Sequence, residues 1–338
     1  MTPLYKRVVG GTEALPKEFP FVANVQNAKE QRSLQCVGTI LYNQVIVVPA
    51  FCVVHPDTHL PVDRQDLVVG YGSNIRSQQK HARVVKIVVN REFDRKEMTN
   101  DIALLQVEPL DLGQSGTQKI PIYAGSIRAG QKLRVMGWGS DQVSGGEWSE
   151  TLKSTEVVLS NSTQCHKSRN YNGIEGRVLC TENRLSPGHD VCDGEFGASL
   201  VVKVNGHYQL LGMFSYHIDT SDKGYNQCAK DTSLAFYTHI YSYIGFIAAT
   251  TQLPVDEFTA HIDKSASYAK YQSKYIFIFI IAAIAVWATL RFLFKCWTQN
   301  RRLSEPAYEL AVHSTGPDAP SDSEVARRPR VEIMDITS

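Results

Sequence analysis

Short apolar runs that are rich in β-branched residues fill the chain from about Phe19 to Phe246, and they constrain its fold more than any other feature. Runs of this kind are typical of β-strands. The clearest are Gln44–Val48, Val84–Val89, Leu133–Met136 and Leu200–Val204. Asn205-Gly206, between two runs, predicts a type I′ hairpin turn, whose central residues both need positive φ. The first apolar pattern of helical length lies near Thr238 to Thr250, so the sequence predicts an all-β barrel or sandwich.

The composition is that of a folded protein without a strongly charged partner. The 338 residues are 43% hydrophobic, which is enough for one large or two modest domains. The formal net charge of +1 gives no reason to expect nucleic acid as a partner. His55 and His59 have helical spacing, but Pro56 between them disfavours a helix. We interpret both as loop residues, and we expect no metal and no cofactor.

The cysteines and one sequon indicate export. Six of the 7 cysteines precede residue 230, and Cys296 stands alone near the C-terminus. Disulfides among the six would require an oxidising compartment, and six cysteines can pair in fifteen ways. Asn161-Ser162-Thr163 is an N-glycosylation sequon. The first residues lack the apolar core of a signal peptide, and we expect the export signal to be encoded upstream of this sequence.

A continuous apolar run near the C-terminus predicts one transmembrane helix over residues 275–297. Tyr275 and Trp297 bound it, and its length is about the 20 residues that a bilayer core needs. A polar stalk precedes it over residues 251–274. A tail rich in Pro, Ser, Asp, Glu and Arg follows over residues 298–338, where we expect disorder.

Basic residues indicate how this helix is oriented. Arg291, Lys295, Arg301 and Arg302 lie at its C-terminal end, although lysines also precede it, and the positive-inside rule favours a cytoplasmic tail. The preceding domain would then be extracellular or lumenal, with the plasma membrane as the expected location. Cys296 would lie at the cytoplasmic face, where it is a candidate for S-palmitoylation.

Several motifs, in the same order, resemble those of the trypsin-like (chymotrypsin-fold, S1 family) serine proteases. Val191–Leu200 is similar to the family's nucleophile loop, in which a disulfide cysteine precedes Gly-Asp-Ser-Gly-Gly-Pro. Pro49–Cys52 matches the histidine motif Ala-Ala-His-Cys, and Asn100–Leu105 matches the aspartate motif. The resemblance covers roughly residues 8–250. It implies two packed antiparallel six-stranded β-barrels with a C-terminal helix.

The resemblance also implies a processed N-terminus and three disulfides. Cleavage after the dibasic Lys6-Arg7 would leave residues 1–7 as a propeptide stub. It would also free the ammonium of Val8, which would pair with Glu195 in a buried ion pair. The implied disulfides are Cys36–Cys52, Cys165–Cys180 and Cys192–Cys228. Bridges of this kind typically add about 2–4 kcal/mol each.

Two of the three catalytic positions of the resembled family are changed. In the family a serine attacks, a histidine moves the proton and a buried aspartate orients the histidine. The matching residues here are Phe196, Phe51 and Asp101. A phenyl ring has neither a proton to transfer nor a lone pair for attack. We therefore predict that the chain is not an enzyme, although the oxyanion amides, those of Gly194 and Phe196, would remain.

Neighbouring residues are not expected to replace the lost groups. Ser199 matches a proline of the family and lies in a predicted strand, and His55 lies on a loop. Asp101 would be buried without the histidine N–H, so we expect its pKa to be raised. We also expect it to accept a hydrogen bond from Ser215, which matches the family serine that reaches this acid.

The resemblance further identifies a specificity pocket. Its residues would be Asp190, Ser215, His217 and Ala235. Asp190 matches the acid that gives trypsins their preference for Lys or Arg. His217 replaces a glycine that keeps the pocket open in the family, so we expect it to obstruct one wall.

These features together predict a non-catalytic, membrane-anchored homologue of the family. It would act as an extracellular binding, adhesion or regulatory module with an extracellular protein partner. Two alternatives stay open. One is an active endopeptidase with trypsin-like preference, which Phe51 and Phe196 oppose. The other is a single-pass receptor that signals through its tail, where Arg301–Ser304 resembles a kinase site.

Overall fold

The computed structural model describes residues 11–27, 35–113, 116–139, 148–191, 195–221, 230–260, 280 and 282–299. Between residues 11 and 260 the chain is built mainly of β-strands, as the sequence predicts. The strands are β1 (Thr12–Glu13), β2 (Val22–Asn27), β3 (Cys36–Tyr42), β4 (Val45–Val48), β5 (Leu67–Tyr71), β6 (Lys80–Val89), β7 (Ala103–Val107), β8 (Lys132–Gly137), β9 (Lys153–Ser160), β10 (Val178–Glu182), β11 (Ser199–Val204), β12 (His207–Asp219) and β13 (Ser233–His239). A short helix, α1 (Ile244–Thr251), follows β13.

Six strands form a closed antiparallel barrel in the order β2-β3-β4-β7-β6-β5. Strand β4 explains why such segments are continuously apolar. Its residues Ile46 and Val48 pack in the cluster inside this barrel, whereas Val45 and Val47 pack in a second cluster on the other face. Because both faces of the strand are covered, apolar residues occupy every position rather than alternate ones.

The second sheet has seven strands in the order β1-β9-β10-β13-β12-β11-β8. Strand β8 also pairs with β9, so the pairings of six strands run around a ring. The sheet differs by one strand from the six-stranded barrel expected, because β1 pairs with Lys153 and Ser154 of β9. Asn205 and Gly206 join β11 to β12 with φ angles of 50° and 87°, which confirms the predicted hairpin.

A core cluster between the two sheets joins them. It includes Leu104 from the barrel, Met213 from the second sheet and Ile247 from α1. Trp138, 2% exposed, packs in the same cluster and donates a hydrogen bond from Nε1 to the Asn74 carbonyl at 3.0 Å. Burial of this shared apolar surface stabilises the two sheets as one domain.

The domain ends later than the sequence indicates. Strand β13 continues to His239 and a 3₁₀ turn follows, so the α-helix begins at Ile244 rather than near Thr238. Phe258 is 1% exposed, and its carbonyl accepts a hydrogen bond from the Ile122 amide at 2.6 Å. The burial of Phe258 thus holds this part of the expected stalk against the domain.

Residues 282–299 are helical and belong to a second compact unit. Among the described residues, no helix combines the length and the apolar character that crossing a membrane requires. Residues 275–279 and 281 of the expected span, and residues 300–338 of the expected tail, lie outside the described residues.

Close main-chain contact ties the loop before β11 to the barrel. The Val37 amide donates a hydrogen bond to the Phe196 carbonyl at 2.8 Å, and Gly197 has a φ of +86°. A Cβ atom on Gly197 would lie 1.9 Å from the Val37 carbonyl oxygen. Glycine therefore serves two purposes here, because it adopts the left-handed conformation and permits the close approach.

We expect Gly197→Ala to lower the free energy of unfolding by more than conformational strain alone. The left-handed conformation costs a non-glycine residue about 1–2 kcal/mol, and the contact with Val37 adds to that cost. Gly130→Ala is the matched control, since Gly130 has a φ of +80° but nothing within 4 Å of the added Cβ. Urea unfolding measures both variants. Equal losses in the two would contradict the tight contact.

Candidate functional site at the Phe51–Phe196 contact

Phe51 lies on a short turn that the barrel holds in place. Ala50–Cys52 form a 3₁₀ turn, and the Cys52 amide donates a hydrogen bond to the Pro49 carbonyl at 3.1 Å. A disulfide joins Cys52 to Cys36 on β3. The turn therefore presents the Phe51 side chain at a fixed place beside the barrel.

Phe196 meets Phe51 from the loop that precedes β11. The two ring centroids lie 4.5 Å apart with an interplanar angle of 31°. Phe196 also packs against the cluster inside the barrel and against the cluster inside the second sheet. Thus, where the resemblance places a base and a nucleophile, two apolar rings are in contact. Neither ring offers a group that can transfer a proton or attack a carbonyl.

The aromatic contact continues into the second sheet. Phe214 lies 6.0 Å from Phe196 and 6.5 Å from His217, measured between ring centroids, and both pairs are stacked. We call Phe51, Phe196, Phe214 and His217 the aromatic column. Offset-stacked rings of this kind stabilise a fold beyond their burial by about 0.5–1.5 kcal/mol per pair.

The residues expected to line the specificity pocket are all buried. Their exposed fractions are 2% for Asp190, 2% for Ser215, 7% for His217 and 1% for Ala235. Phe214 of the aromatic column is 0% exposed and stacks on His217. These four side chains therefore expose very little surface in this structure.

Asp101 lies behind the Phe51 turn, and its two carboxylate oxygens have different donors. The Phe51 amide donates to Oδ1 at 2.8 Å, and the Ser215 hydroxyl donates to Oδ2 at 2.5 Å. The hydrogen bond expected from Ser215 is therefore present. Burial raises the pKa of Asp101 to about 6, against the opposing effects of these hydrogen bonds and of the nearby Arg95 charge. The predicted direction of this pKa shift is confirmed.

Arg95 covers the other face of the site, and the sequence analysis missed it. Its guanidinium carbon lies 4.1 Å from the centre of the Phe51 ring. A cation over a ring face is attracted by the negative face of the ring. Phe214 was missed as well, although it directly precedes Ser215. A bulky aromatic residue beside that motif is a signal that could have revealed it, whereas no motif marks Arg95.

The other predicted site residues lie in different places. Glu195 is fully buried, whereas its expected partner Val8, the oxyanion residue Gly194 and the pair Cys192 and Cys228 lie outside the described residues. Cys165 and Cys180 form a disulfide, the second of the pairs that the resemblance implies. Asn161 and Cys296 are both exposed, and Cys296 is a free thiol.

Ser199 and His55 lie in contexts that do not resemble a catalytic pair. Ser199 is 0% exposed, and its hydroxyl is 2.6 Å from the Thr39 hydroxyl. His55 is an exposed loop residue whose Nδ1 accepts a hydrogen bond from the Asp57 amide at 3.2 Å. Across the described residues, no group of three or more His, Cys, Asp or Glu side chains is placed to hold a metal ion.

Comparisons with known proteins agree with the geometry of the fold. A family model described as Trypsin matches residues 8–247 of the chain. The chain is similar to Trypsin-1 of Astacus astacus, with 26% identity over 249 residues, which are 72% of this chain and 99% of the relative. The family match spans both sheets and every position of the aromatic column.

The raised pKa of Asp101 predicts a specific dependence of stability on pH. Because the pKa rises from 3.8 to about 6, the folded chain binds this proton more tightly than the unfolded chain. The resulting stability is fully present below about pH 4 and is lost as the pH rises through about 6. A difference of about 2 pKa units corresponds to about 3 kcal/mol.

We expect Asp101→Asn to remove this dependence and to be tolerated or stabilising at neutral pH. The free energy of unfolding, measured by urea titration between about pH 4.5 and 7.5, should fall with rising pH in the wild type more than in the variant. Asp57→Asn, at an exposed acid, is the matched control. Parallel pH curves for the wild type and Asp101→Asn would show that the buried charge is fully compensated.

Proposed function

Since the chain belongs to the trypsin family, we propose that it is a non-catalytic member that uses the family scaffold to bind an extracellular protein partner. The observation that carries this proposal is the contact between Phe51 and Phe196, whose ring centroids are 4.5 Å apart. Loss of the nucleophile or of the base alone lowers turnover by about a million-fold in a comparable enzyme. In this chain both are replaced by carbon rings that pack on each other.

The geometry around the site supports the same proposal. The Ser199 hydroxyl is fully buried against Thr39, away from solvent and substrate. His55 is exposed on its loop, and its Nδ1 accepts from a main-chain amide. The expected pocket acid Asp190 is buried, at 2% exposed. At the two positions where the family carries its nucleophile and its base, the active-protease alternative finds Phe196 and Phe51.

What remains is a rigid binding scaffold. The barrel, the second sheet and the disulfides Cys36–Cys52 and Cys165–Cys180 are kept. Rigid scaffolds reduce the entropic cost of binding, because little order has to be gained on association. A binding role makes use of this rigid framework and does not require a nucleophile or a general base.

We propose further that the C-terminal segment anchors this domain in a membrane with the tail in the cytoplasm. The helical residues 282–299 carry large apolar side chains that are more than half exposed, among them Ile284, Trp287, Leu290, Phe292, Phe294 and Trp297. A helix with apolar residues on all sides is typical of a membrane environment. The exposed Asn161 as a glycosylation site and Cys296 as a palmitoylation site agree with this orientation.

The absence of catalysis can be tested with an active-site probe. We expect the purified full chain, incubated with a biotinylated fluorophosphonate, to show no labelling under conditions that label trypsin completely, because Phe196 stands at the position of the family's nucleophile and has no hydroxyl to react. Ser199→Ala is the matched variant for the remaining serine of the loop. Stoichiometric labelling of the wild type that disappears in Ser199→Ala would contradict the non-catalytic assignment.

Membrane anchorage can be tested by extraction. We expect the full chain, expressed in cells, to stay in the membrane pellet at alkaline pH, because an apolar span of about 20 residues inserts stably. A variant that lacks residues 275–299 should be released, and a variant truncated after residue 300 should remain. Release of the full chain at alkaline pH, or digestion of its tail by protease added to intact cells, would contradict the proposal.

A further inference from the structure

The Arg95 side chain is held in a fixed orientation over the Phe51 ring. Its Nη1 donates hydrogen bonds to the carbonyl of Phe51 at 3.1 Å and to the carbonyl of Val54 at 3.0 Å. Its guanidinium group also covers the Phe51 ring, at 4.1 Å from the ring centre. Both hydrogens of Nη1 are thus committed to main-chain acceptors, and the orientation of the group is set by the turn that bears Phe51.

The other edge of the same guanidinium, formed by Nε and Nη2, has no hydrogen-bond partner among the described residues. Within the described part of the chain, Nε and Nη2 of Arg95 have no hydrogen-bond acceptor, and no carboxylate forms an ion pair with this side chain. The nearest acid that acts on it is the buried Asp101, whose two oxygens already accept from Phe51 and Ser215. Burial without an ion-pair partner lowers the pKa of Arg95.

The Nε and Nη2 donors are the pair that takes a carboxylate in two parallel hydrogen bonds. Such bidentate pairs are stronger and more specific than single hydrogen bonds. Their usual cost is the ordering of a long side chain. Here the Phe51 and Val54 carbonyls and the Phe51 ring have already ordered it. The site is therefore prepared for an anion before any ligand arrives.

An exposed apolar residue lies on the loop that follows Val54. Leu60 is 65% exposed, and its carbonyl accepts a hydrogen bond from the His55 amide at 2.8 Å. Val54, whose carbonyl Arg95 binds, pairs with Pro61, the residue after Leu60. A ligand that binds Arg95 through a carboxylate and extends over this loop can cover Leu60 with an apolar side chain.

We propose that Arg95 is the centre of a recognition site for an acidic side chain of the partner protein, flanked in the partner by apolar residues. The site has the opposite charge preference to the pocket acid Asp190, which is buried. This inference rests on the proposed binding function and specifies its ligand chemistry. It requires an accessible guanidinium edge, and Arg95 is partly exposed.

Immobilised peptides provide the test. The probe is Ac-Ala-Leu-Glu-Leu-Ala-NH2, and its matched control carries Gln in place of Glu. We expect the purified full chain to bind the Glu peptide about tenfold or more tightly than the Gln peptide, since a hydrogen-bonded charged pair is lost with Gln. This change in the peptide leaves the protein fold untouched.

Variants of the chain test whether Arg95 is the residue that causes the preference for the Glu peptide. We expect Arg95→Gln to abolish the Glu-over-Gln preference and Arg95→Lys to weaken it, because lysine keeps the charge but lacks the planar fork. Arg91→Gln removes a charge from an exposed position on the same connection between β6 and β7, and it should leave the preference unchanged. Thermal melts identify any variant that has lost its fold.

The outcomes separate this inference from the proposed function. Equal binding of the two peptides, or a preference that survives Arg95→Gln, would overturn the inference. Fluorophosphonate labelling of the same preparation tests the other proposal. Labelling would contradict the non-catalytic assignment, whereas the Glu-over-Gln preference alone decides the role of Arg95.

Discussion

The contact between the Phe51 and Phe196 rings is the interaction on which the rest of the site depends. Phe51 lies on a turn beside the barrel and Phe196 on the loop before β11, and their ring centroids are 4.5 Å apart. The main chain next to Phe196 is bound to Val37, and the turn next to Phe51 is tied to β3 by the Cys36–Cys52 disulfide. The ring contact therefore lies where the interiors of both sheets meet, and it is fixed from both sides.

This contact also determines how charge is arranged around it. A ring at position 51 provides no donor for Asp101, so the acid depends on the Phe51 amide and the Ser215 hydroxyl, and burial raises its pKa. The same ring attracts Arg95 to its outer face. Phe51 is thus in contact with two charged groups: the buried Asp101 carboxylate behind its turn and the oriented Arg95 guanidinium over its ring.

The sequence predicts the parts of this structure that follow from local patterns. Runs such as Val45–Val48 identify strands because both of their faces are buried, and Asn205-Gly206 identifies a hairpin because its φ angles favour those residues. In these two cases the information is contained in a short stretch of chain. The placement of Phe51, Asp101 and Phe196 at one site comes instead from the resemblance to the trypsin-like proteases, whose motifs occur in the same order.

Features that depend on contacts between distant residues could not be predicted in this way. Arg95 covers Phe51 through acceptors that are 41 and 44 residues away. Phe258 extends the domain because a hydrogen bond to Ile122 and the core position of its ring hold it there. Strand β1 is only two residues long, which is too short to show a pattern.

The packing of Phe196 against two core clusters has a consequence for stability. Replacing a fully buried aromatic residue by a small one lowers the free energy of unfolding by about 3–5 kcal/mol. Because Phe196 is only partly buried, its replacement costs less than this. Typical domains have only about 5–15 kcal/mol of stability in total. A serine at position 196 would therefore remove packing from the interiors of both sheets at once. The ring at this position is a structural part of the domain, and its replacement is a change in stability before it is a change in chemistry.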